Sequence, residues 1–133
     1  MTTVKTKITA PKVVASPVFK ESIFIDKNLQ ISPRKLRLLV NTIKKLSVLS
    51  VLPRLQLTNT KAARILTKSL KTAVATAKNN YKLSPDTLSF VSFKVDEGPK
   101  TKRMDKSHGS RFARGIITRR HSRLTIVLRG QTK

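Results

Sequence analysis

The sequence contains no cysteine, no tryptophan and only six acidic residues among 133. Without cysteine, neither a disulfide framework nor a thiolate metal site can hold the fold together, and no cysteine nucleophile is available. Long uncharged runs are also missing, since Leu46 to Pro53 is far shorter than the ~18 apolar residues that a membrane-spanning helix needs. The sequence therefore predicts a protein with no transmembrane segment, and it leaves the cellular compartment open.

Positive charge is what the chain has in excess. Twenty-nine Lys and Arg residues give a formal net charge of +23, which exceeds what solubility requires and indicates a polyanionic partner. Between Asp26 and Asp86 there are thirteen basic residues and no acid, and from Gly98 to Lys133 there are eleven against Asp105 alone, a net charge of +10. A charge run is usually a solvated face, but this density without acids favours a binding surface.

Length and composition favour one domain, because 38% hydrophobic residues supply one modest core and single domains span roughly 100 to 200 residues. Residues 1–18 are interpreted as a basic amino-terminal extension with no acid and no arginine. Pro11 and Pro17 argue against a cleavable amphipathic targeting helix there. The domain itself is predicted over residues 19–133.

Capping residues and apolar spacing predict two helices. Ser32 and Pro33 are typical of an N-cap and a first helical position, and apolar residues then recur at helical spacing at Leu36, Leu39, Val40 and Ile43. A longer helix begins near residues 58–60 and continues to 79–80. Its predicted buried stripe is Ala63, Leu66, Leu70, Ala73, Val74 and Ala77. Between the two, Pro53 limits residues 48–57 to a helix of a turn or two, or to an irregular connection.

Three segments have the composition of β-strands, namely 19–31, 88–95 and 124–128. A phase slip at Phe90-Val91 permits a bulge in the second of them. Three strands with helices on one face predict an α+β fold: a small three-stranded antiparallel sheet packed with about three helices, plus a long protruding β-hairpin.

The predicted hairpin spans residues 96–123, which is too long for an ordinary loop. Two extended arms of a dozen residues at ~3.3 Å each would project roughly 40 Å from the body, with Gly109-Ser110 as the tip. Such a ribbon has no core and almost no acid, so we expect it to be ordered only within a groove of negative charge.

The same residues resemble a known family, the large-subunit ribosomal protein family numbered twenty-two. The resemblance is carried, in order, by residues 31–38 (ISPRKLRL), 58–63 (TNTKAA), 73–80 (AVATAKNN), 95–99 (VDEGP) with Lys102-Arg103, and 124–127 (LTIV) after Ser122. It implies a non-enzymatic protein with a globular body on the outer surface of the large subunit and a hairpin that reaches the wall of the peptide exit tunnel. It also implies assembly of the subunit as a function and the ribosome, bacterial or organellar, as the location.

The resemblance implies contacts with ribosomal RNA at basic positions of the first helix and the hairpin: Arg34, Lys35, Arg37, Lys102, Arg103, Arg111, Arg114, Arg119 and Arg120. The charge pattern adds Lys61, Lys68, Lys100, Lys106 and Arg123. The implied tunnel-facing tip comprises Lys106, Ser107, His108, Gly109, Ser110 and Arg111. The implied partners are large-subunit rRNA, neighbouring large-subunit proteins and the nascent polypeptide, with no cofactor, no metal and no membrane insertion.

The sequence departs from the family pattern at three places. Lys44 to Ser47 replaces the glycine that usually follows the first helix, so that turn must close differently. Lys106 to His108 stands where the family commonly has Pro-Arg-Ala, and Gly109 is displaced by one position. The returning arm is two residues longer around 115–118, which preserves the facing of its side chains because strand periodicity is two.

Other function classes fit less well. Residues 32–35 (SPRK) resemble the elements of DNA-compacting tails, but those elements repeat in disordered chains. No helix combines a basic face with a broad Trp- or Phe-rich face, as a membrane-surface protein needs. His108 and His121 lack a metal-ligand cluster, and we expect them to face solvent or RNA. Asp96-Glu97 is interpreted as a hydrogen-bonding pair at the hairpin base, and Phe112 either stacks on an unpaired base or packs on arginine stems.

Overall fold

The computed structural model describes residues 18–107 and 115–132. In chain order the elements are β1 (Phe19–Leu29), α1 (Pro33–Ile43), α2 (Val48–Leu57), α3 (Lys61–Tyr81), a 3₁₀ turn (Pro85–Thr87), β2 (Ser89–Asp105) and β3 (Gly115–Gln131). Three antiparallel strands with three helices in these ranges confirm the predicted α+β class. None of these helices is both long enough and apolar enough to cross a lipid bilayer.

Predictions for three parts of the chain lie outside the described residues. These parts are 1–17, 108–114 and 133. The amino-terminal extension therefore stays a prediction. So do the roles given to His108, Gly109, Ser110, Arg111, Phe112 and Arg114.

The sheet has the strand order β1-β3-β2, with β3 in the centre and antiparallel to both neighbours. Strand alternation places Leu124, Ile126 and Leu128 on one face, where they are almost fully buried against the helices. The predicted bulge in β2 is confirmed, because Phe90 lies opposite Leu128 while Ser92 lies opposite Val127. The bulge keeps both Phe90 and the strand beyond it in contact with the core.

Helix α3 supplies the other half of the core. The predicted stripe is confirmed at Ala63, Leu66, Leu70, Ala73 and Ala77, with Val74 only partly buried and Ala62 and Ser69 also buried. Thr60 caps the helix as expected, since its side-chain oxygen accepts a hydrogen bond from the Ala63 amide at 3.2 Å. The alanines allow this helix to lie close to the sheet.

Helix α1 begins at Pro33, as predicted, but Ser32 caps it in a different way. Its side chain makes no capping hydrogen bond, and its backbone carbonyl accepts from the amides of Lys35 and Leu36 instead. The missing glycine is replaced by a right-handed turn, in which Lys44 has φ −58° and ψ −20° and the Leu46 amide donates to the Ile43 carbonyl at 3.0 Å.

Helix α2 is longer than the one or two turns predicted, because it continues through Pro53 for ten residues. The proline removes the amide that would bond to the carbonyl of Leu49. Both residues are exposed, so water can hydrate that carbonyl. Val51 and Leu55 are buried on the opposite side, and their packing holds the helix together.

Strands β2 and β3 continue beyond the sheet as the predicted hairpin. They stay paired from Asp96 opposite Arg123 to Asp105 opposite Gly115, whereas β1 ends at Leu29. Residues 115–118 pair one for one with 102–105, so the additional length of the returning arm lies within the paired ribbon. We call residues 96–105 and 115–123 the hairpin arms.

A second bulge lies at the hairpin base. Glu97 is opposite Ser122 and Lys100 is opposite Arg120, so β2 contains one residue more than β3 between these pairs. At Gly98 a Cβ atom would lie 3.0 Å from the backbone carbon of His121 and from the backbone nitrogen of Ser122. A side chain at this position would require the facing backbone to move by a few tenths of an ångström, which glycine avoids.

Replacing a core leucine tests the packing of α3 on the sheet. Leu70 is fully buried, whereas Leu57 on α2 is 86% exposed. We expect Leu70→Ala to lower the free energy of unfolding by about 2–5 kcal/mol, since it removes buried methyl groups and leaves a cavity. Leu57→Ala should change it by less than ~0.5 kcal/mol. Urea denaturation monitored by circular dichroism measures both, and equal effects would contradict this packing.

A second variant tests the close approach of the arms. Gly98→Ala should lower the free energy of unfolding by about 1–3 kcal/mol, because its Cβ would press on the backbone of the facing arm. Gly115→Ala is the matched control, since its Cβ would meet the Asp105 side chain at 3.3 Å. Urea denaturation compares the two proteins. If Gly98→Ala were as stable as the control, the arms would not require glycine at the base.

Candidate RNA-binding surface

The hairpin arms are basic on both faces. Residues that lie directly opposite in an antiparallel pair share a face, and successive residues alternate. Lys100, Lys102 and Arg120 therefore lie on one face, whereas Arg103 and Arg119 lie on the other. Both faces also carry exposed apolar residues: Met104 and Ile116 on the first, Ile117 on the second.

Acidic residues neutralise few of these cations. Within the described ranges, the one ion pair joins Lys100 Nζ to Glu97 Oε2, and both side chains are about half exposed. The hydrogen bond and the charge of Lys100 hold the pKa of Glu97 below its ordinary value, with smaller contributions from Arg120 and Arg37. Glu97 thus takes the hydrogen-bonding role predicted for it at the hairpin base.

The acid near the far end of the arms bonds within its own segment. Hydrogen bonds from Ser107, first from its side chain and then from its backbone amide at 2.9 Å, lower the pKa of Asp105. The carboxylate already accepts hydrogen bonds within its own segment, and Arg103 adds to the lowering of its pKa. Its charge offsets only part of the positive charge of the ribbon.

Helix α1 presents its basic residues in two different ways. Arg34 and Lys35 are exposed. Arg37 is exposed as well, but its Nε donates a hydrogen bond to the carbonyl of Val95 at 3.0 Å. Since Val95 immediately precedes the hairpin arms, Arg37 also ties α1 to the hairpin base, a role that the sequence did not indicate. The other guanidinium N–H groups can still serve a phosphate.

Predicted binding residues from three segments meet at one groove of about 860 Å³. It lies between the amino-terminal ends of α1 and α3 and the returning arm of the hairpin. Its basic residues are Lys35, Lys61, Arg119 and Arg120, and no acid lines it. Its apolar residues are Ile31, Leu38, Leu39 and Ala62. We call this the basic groove.

A smaller cavity of about 410 Å³ adjoins the basic groove and shares Lys61 and Gln30 with it. Lys68 lines this cavity, where an acid is also present. That acid is Asp26, which accepts a hydrogen bond from the buried Ser69 hydroxyl at 3.1 Å. The structure therefore places Lys68 beside the basic groove but in a less cationic setting.

The remaining predicted residues are exposed but do not meet at the groove. Lys100, Lys102, Arg103 and Lys106 follow the hairpin outward. Arg123 lies opposite Asp96, on the sheet face that points away from the helices, because its neighbour Leu124 is buried among them.

His121 makes a contact that the sequence did not indicate. Its Nδ1 lies 2.5 Å from Oδ1 of Asn28, so the ring connects the returning arm to the end of β1, while it also lines the basic groove. Within residues 18–107 and 115–132, no group of three or more potential metal ligands is present. The contact between His121 and Asn28 could not be inferred from local sequence, because the two residues are 93 positions apart.

Comparison with known proteins gives consistent matches. The family model described as ribosomal protein L22p/L17e matches residues 24–129. The large ribosomal subunit protein uL22 of Thermotoga sp. (strain RQ2) is 39% identical over 113 residues, which cover 85% of this chain and 70% of that protein. The uL22 protein of Akkermansia muciniphila is 41% identical over 106 residues, which cover 79% of this chain and 92% of that protein.

A third relative, uL22 of Thermoanaerobacter sp. (strain X514), is 37% identical over 109 residues, covering 82% of this chain and 96% of that protein. The family match runs from Phe24 in β1 to Arg129 in β3. It thus includes all three described helices, both hairpin arms and the residues of the basic groove. This chain belongs to the ribosomal protein L22p/L17e family.

Proposed function

We propose that this chain is a structural, non-enzymatic constituent of the large ribosomal subunit that binds its rRNA, supports assembly of the subunit, and lines the nascent-peptide exit tunnel with its hairpin. One observation carries the RNA-binding part of this proposal. Exposed cations of α1, α3 and the hairpin are arranged around one groove and along one ribbon, and acids compensate few of them. Family membership supports the ribosomal setting.

The arrangement is suited to the phosphate backbone. Lys and Arg side chains neutralise phosphates and release condensed counterions, so binding does not require a particular base sequence. Arginines such as Arg103 and Arg119 can also donate two parallel hydrogen bonds to one phosphate. Because the hairpin arms are basic on both faces, an anionic surface on one side would leave half of the cations unpaired. The ribbon fits best between RNA segments.

The length of the hairpin supports the tunnel-lining part of the proposal. In β2 the arm covers ten residues, 96–105, which extend roughly 30 Å at ~3.3 Å per residue. The described end of this arm carries Lys106 and Ser107, and the remaining proposed tip residues follow them in sequence. The partners proposed are rRNA, neighbouring large-subunit proteins and the nascent polypeptide.

DNA compaction is not supported by the position of the SPRK element. Pro33 is buried at the first position of α1, so the element starts a packed helix. In a DNA-compacting tail it would be repeated in a chain without a core.

The salt dependence of binding tests the assignment of the phosphate contacts. Each lost contact should reduce the slope of log affinity against log salt by roughly 0.7–0.9. The double variant Arg119→Gln/Arg120→Gln should therefore lower the slope for a large-subunit rRNA transcript by roughly 1.4–1.8. Fluorescence anisotropy across a salt series measures it.

The matched control for this experiment removes two charges from another surface. Lys94 lies opposite Thr125 on the sheet face away from the helices, and Arg129 lies 5.0 Å from the centre of the Phe19 ring. Lys94→Gln/Arg129→Gln should leave most of the slope intact. Equal slopes for the two double variants would contradict the assignment, as would equal affinity of the wild-type protein for duplex DNA and rRNA.

Deleting the outer hairpin tests the role in assembly. In cells whose only copy lacks residues 102–114, we expect incomplete large subunits to accumulate, because RNA segments on the two sides of the ribbon would no longer be joined. Sucrose-gradient profiles measure these particles. A normal profile with the truncated protein incorporated would show that assembly does not depend on the hairpin.

A further inference from the structure

We propose that the basic groove receives a single unpaired RNA nucleotide, whose base covers the apolar side chains of the lining while its flanking phosphates bind the cationic ones. The inference rests on the proposed rRNA binding and adds the form of RNA that this groove takes. The groove would thus bind one form of RNA, whereas the hairpin arms can bind the phosphates of any RNA.

Four apolar side chains belong to the lining of the groove, Ile31, Leu38, Leu39 and Ala62, and we call them the floor. Leu38 is 73% exposed, whereas the other leucines of α1, Leu36 and Leu39, pack in or against the core. Beside it lie Leu39, which is half-buried, and Ile31, which is buried. Contact with such an apolar surface does not stabilise a bound phosphate group, whereas it does stabilise the flat face of a base. In an A-form duplex the bases are stacked inside, so only an unstacked base can reach this floor.

The cations of the lining, which we call the rim, complement a polyanion. Lys35, Lys61, Arg119 and Arg120 come from three separate elements and line it without any acid. A nucleotide brings one phosphate on each side, which these cations can pair with. The arginines can also stack on the base through their planar guanidinium groups. An apolar peptide would cover Leu38 equally well, but it would desolvate four cations without compensation.

The size of the groove limits the occupant. A volume of about 860 Å³ lies within the range of roughly 300–1,000 Å³ that is typical of pockets for small ligands. A nucleotide fits such a volume, whereas a duplex could only lie across its rim. The duplex would then leave the apolar floor in contact with water.

Protein contacts fix the walls of the groove before any RNA binds. Arg37 bonds α1 to the Val95 carbonyl at the base of the hairpin, and His121 joins the returning arm to Asn28. Thr60 caps the helix end that carries Lys61. Since the walls are already held in place, little conformational entropy is lost when a ligand binds.

Photo-crosslinking in the assembled subunit tests the proposal. A full-length variant with Leu38→p-benzoylphenylalanine should incorporate, because the side chain is largely exposed, and ultraviolet irradiation should join it to large-subunit rRNA. Primer extension then locates the crosslink, which we expect at a nucleotide that is unpaired in the rRNA secondary structure. Crosslinks to paired nucleotides, crosslinks to a protein, or no RNA crosslink at all would overturn the inference.

A charge variant gives an independent measurement. Leu38→Glu places a carboxylate on the floor and should weaken binding to a large-subunit rRNA transcript about tenfold, the order of one lost base-stacking contact. Leu57→Glu is the matched control, because Leu57 is also exposed and lies outside the groove. Equal losses in the two variants would overturn the inference. If the wild-type protein itself failed to bind the transcript, the proposed function would fail instead.

Discussion

Electrostatic repulsion among cations that have almost no acids to pair with is the constraint on which this structure depends. With 29 basic and six acidic residues, most cations have no acidic partner within the chain. Because burying an unpaired charge is costly, the core must be built from uncharged residues alone. The core meets this demand: its buried members are aliphatic residues and alanines, with Ser22, Ser69 and Ser122 as the buried polar residues among those described. The Lys and Arg residues that the structure describes are all exposed, and an anionic partner would relieve their repulsion.

The frame that displays these cations is built by α3 and the central strand β3. The alanines of α3 bring it close to the sheet, and β3 continues directly from the core into the returning arm of the hairpin. The same strand thus buries Leu128 at one end and exposes Arg119 at the other. Because this element is continuous, the position of the hairpin cations relative to the groove is determined by the packing of the core.

Local patterns in the sequence were sufficient for most of the fold. The Thr60 cap, the α3 stripe and the bulge at Phe90 follow from capping chemistry and periodicity, which act over a few residues. Helix α2 was underestimated, because the cost of Pro53 was judged without the burial of Val51 and Leu55 that offsets it. The hairpin followed from the length and charge of the segment between two strands, whereas a resemblance to a family, based on several motifs in order, supplied the predicted RNA contacts along it.

The candidate site was only partly predictable for a different reason. Which residues are basic can be read from the sequence, but their convergence depends on contacts between distant segments. The bond from Arg37 to Val95 spans 58 positions, and the groove requires α1, α3 and β3 to meet. The close approach that favours glycine at position 98 likewise involves the backbone of His121, which no local pattern reveals.

The bulge at Gly98 and Pro99 has a consequence for how such a protein can diverge. The extra residue of the bulge shifts the alternation of side chains in β2 by one position between the sheet and the hairpin arm. A substitution or insertion on one side of the bulge therefore need not alter the facing of side chains on the other side. Insertions of two residues in both arms would lengthen the ribbon while keeping each side chain on its face. The globular domain and the hairpin arms can therefore change in sequence at different rates, because the bulge at Gly98 and Pro99 lies between them.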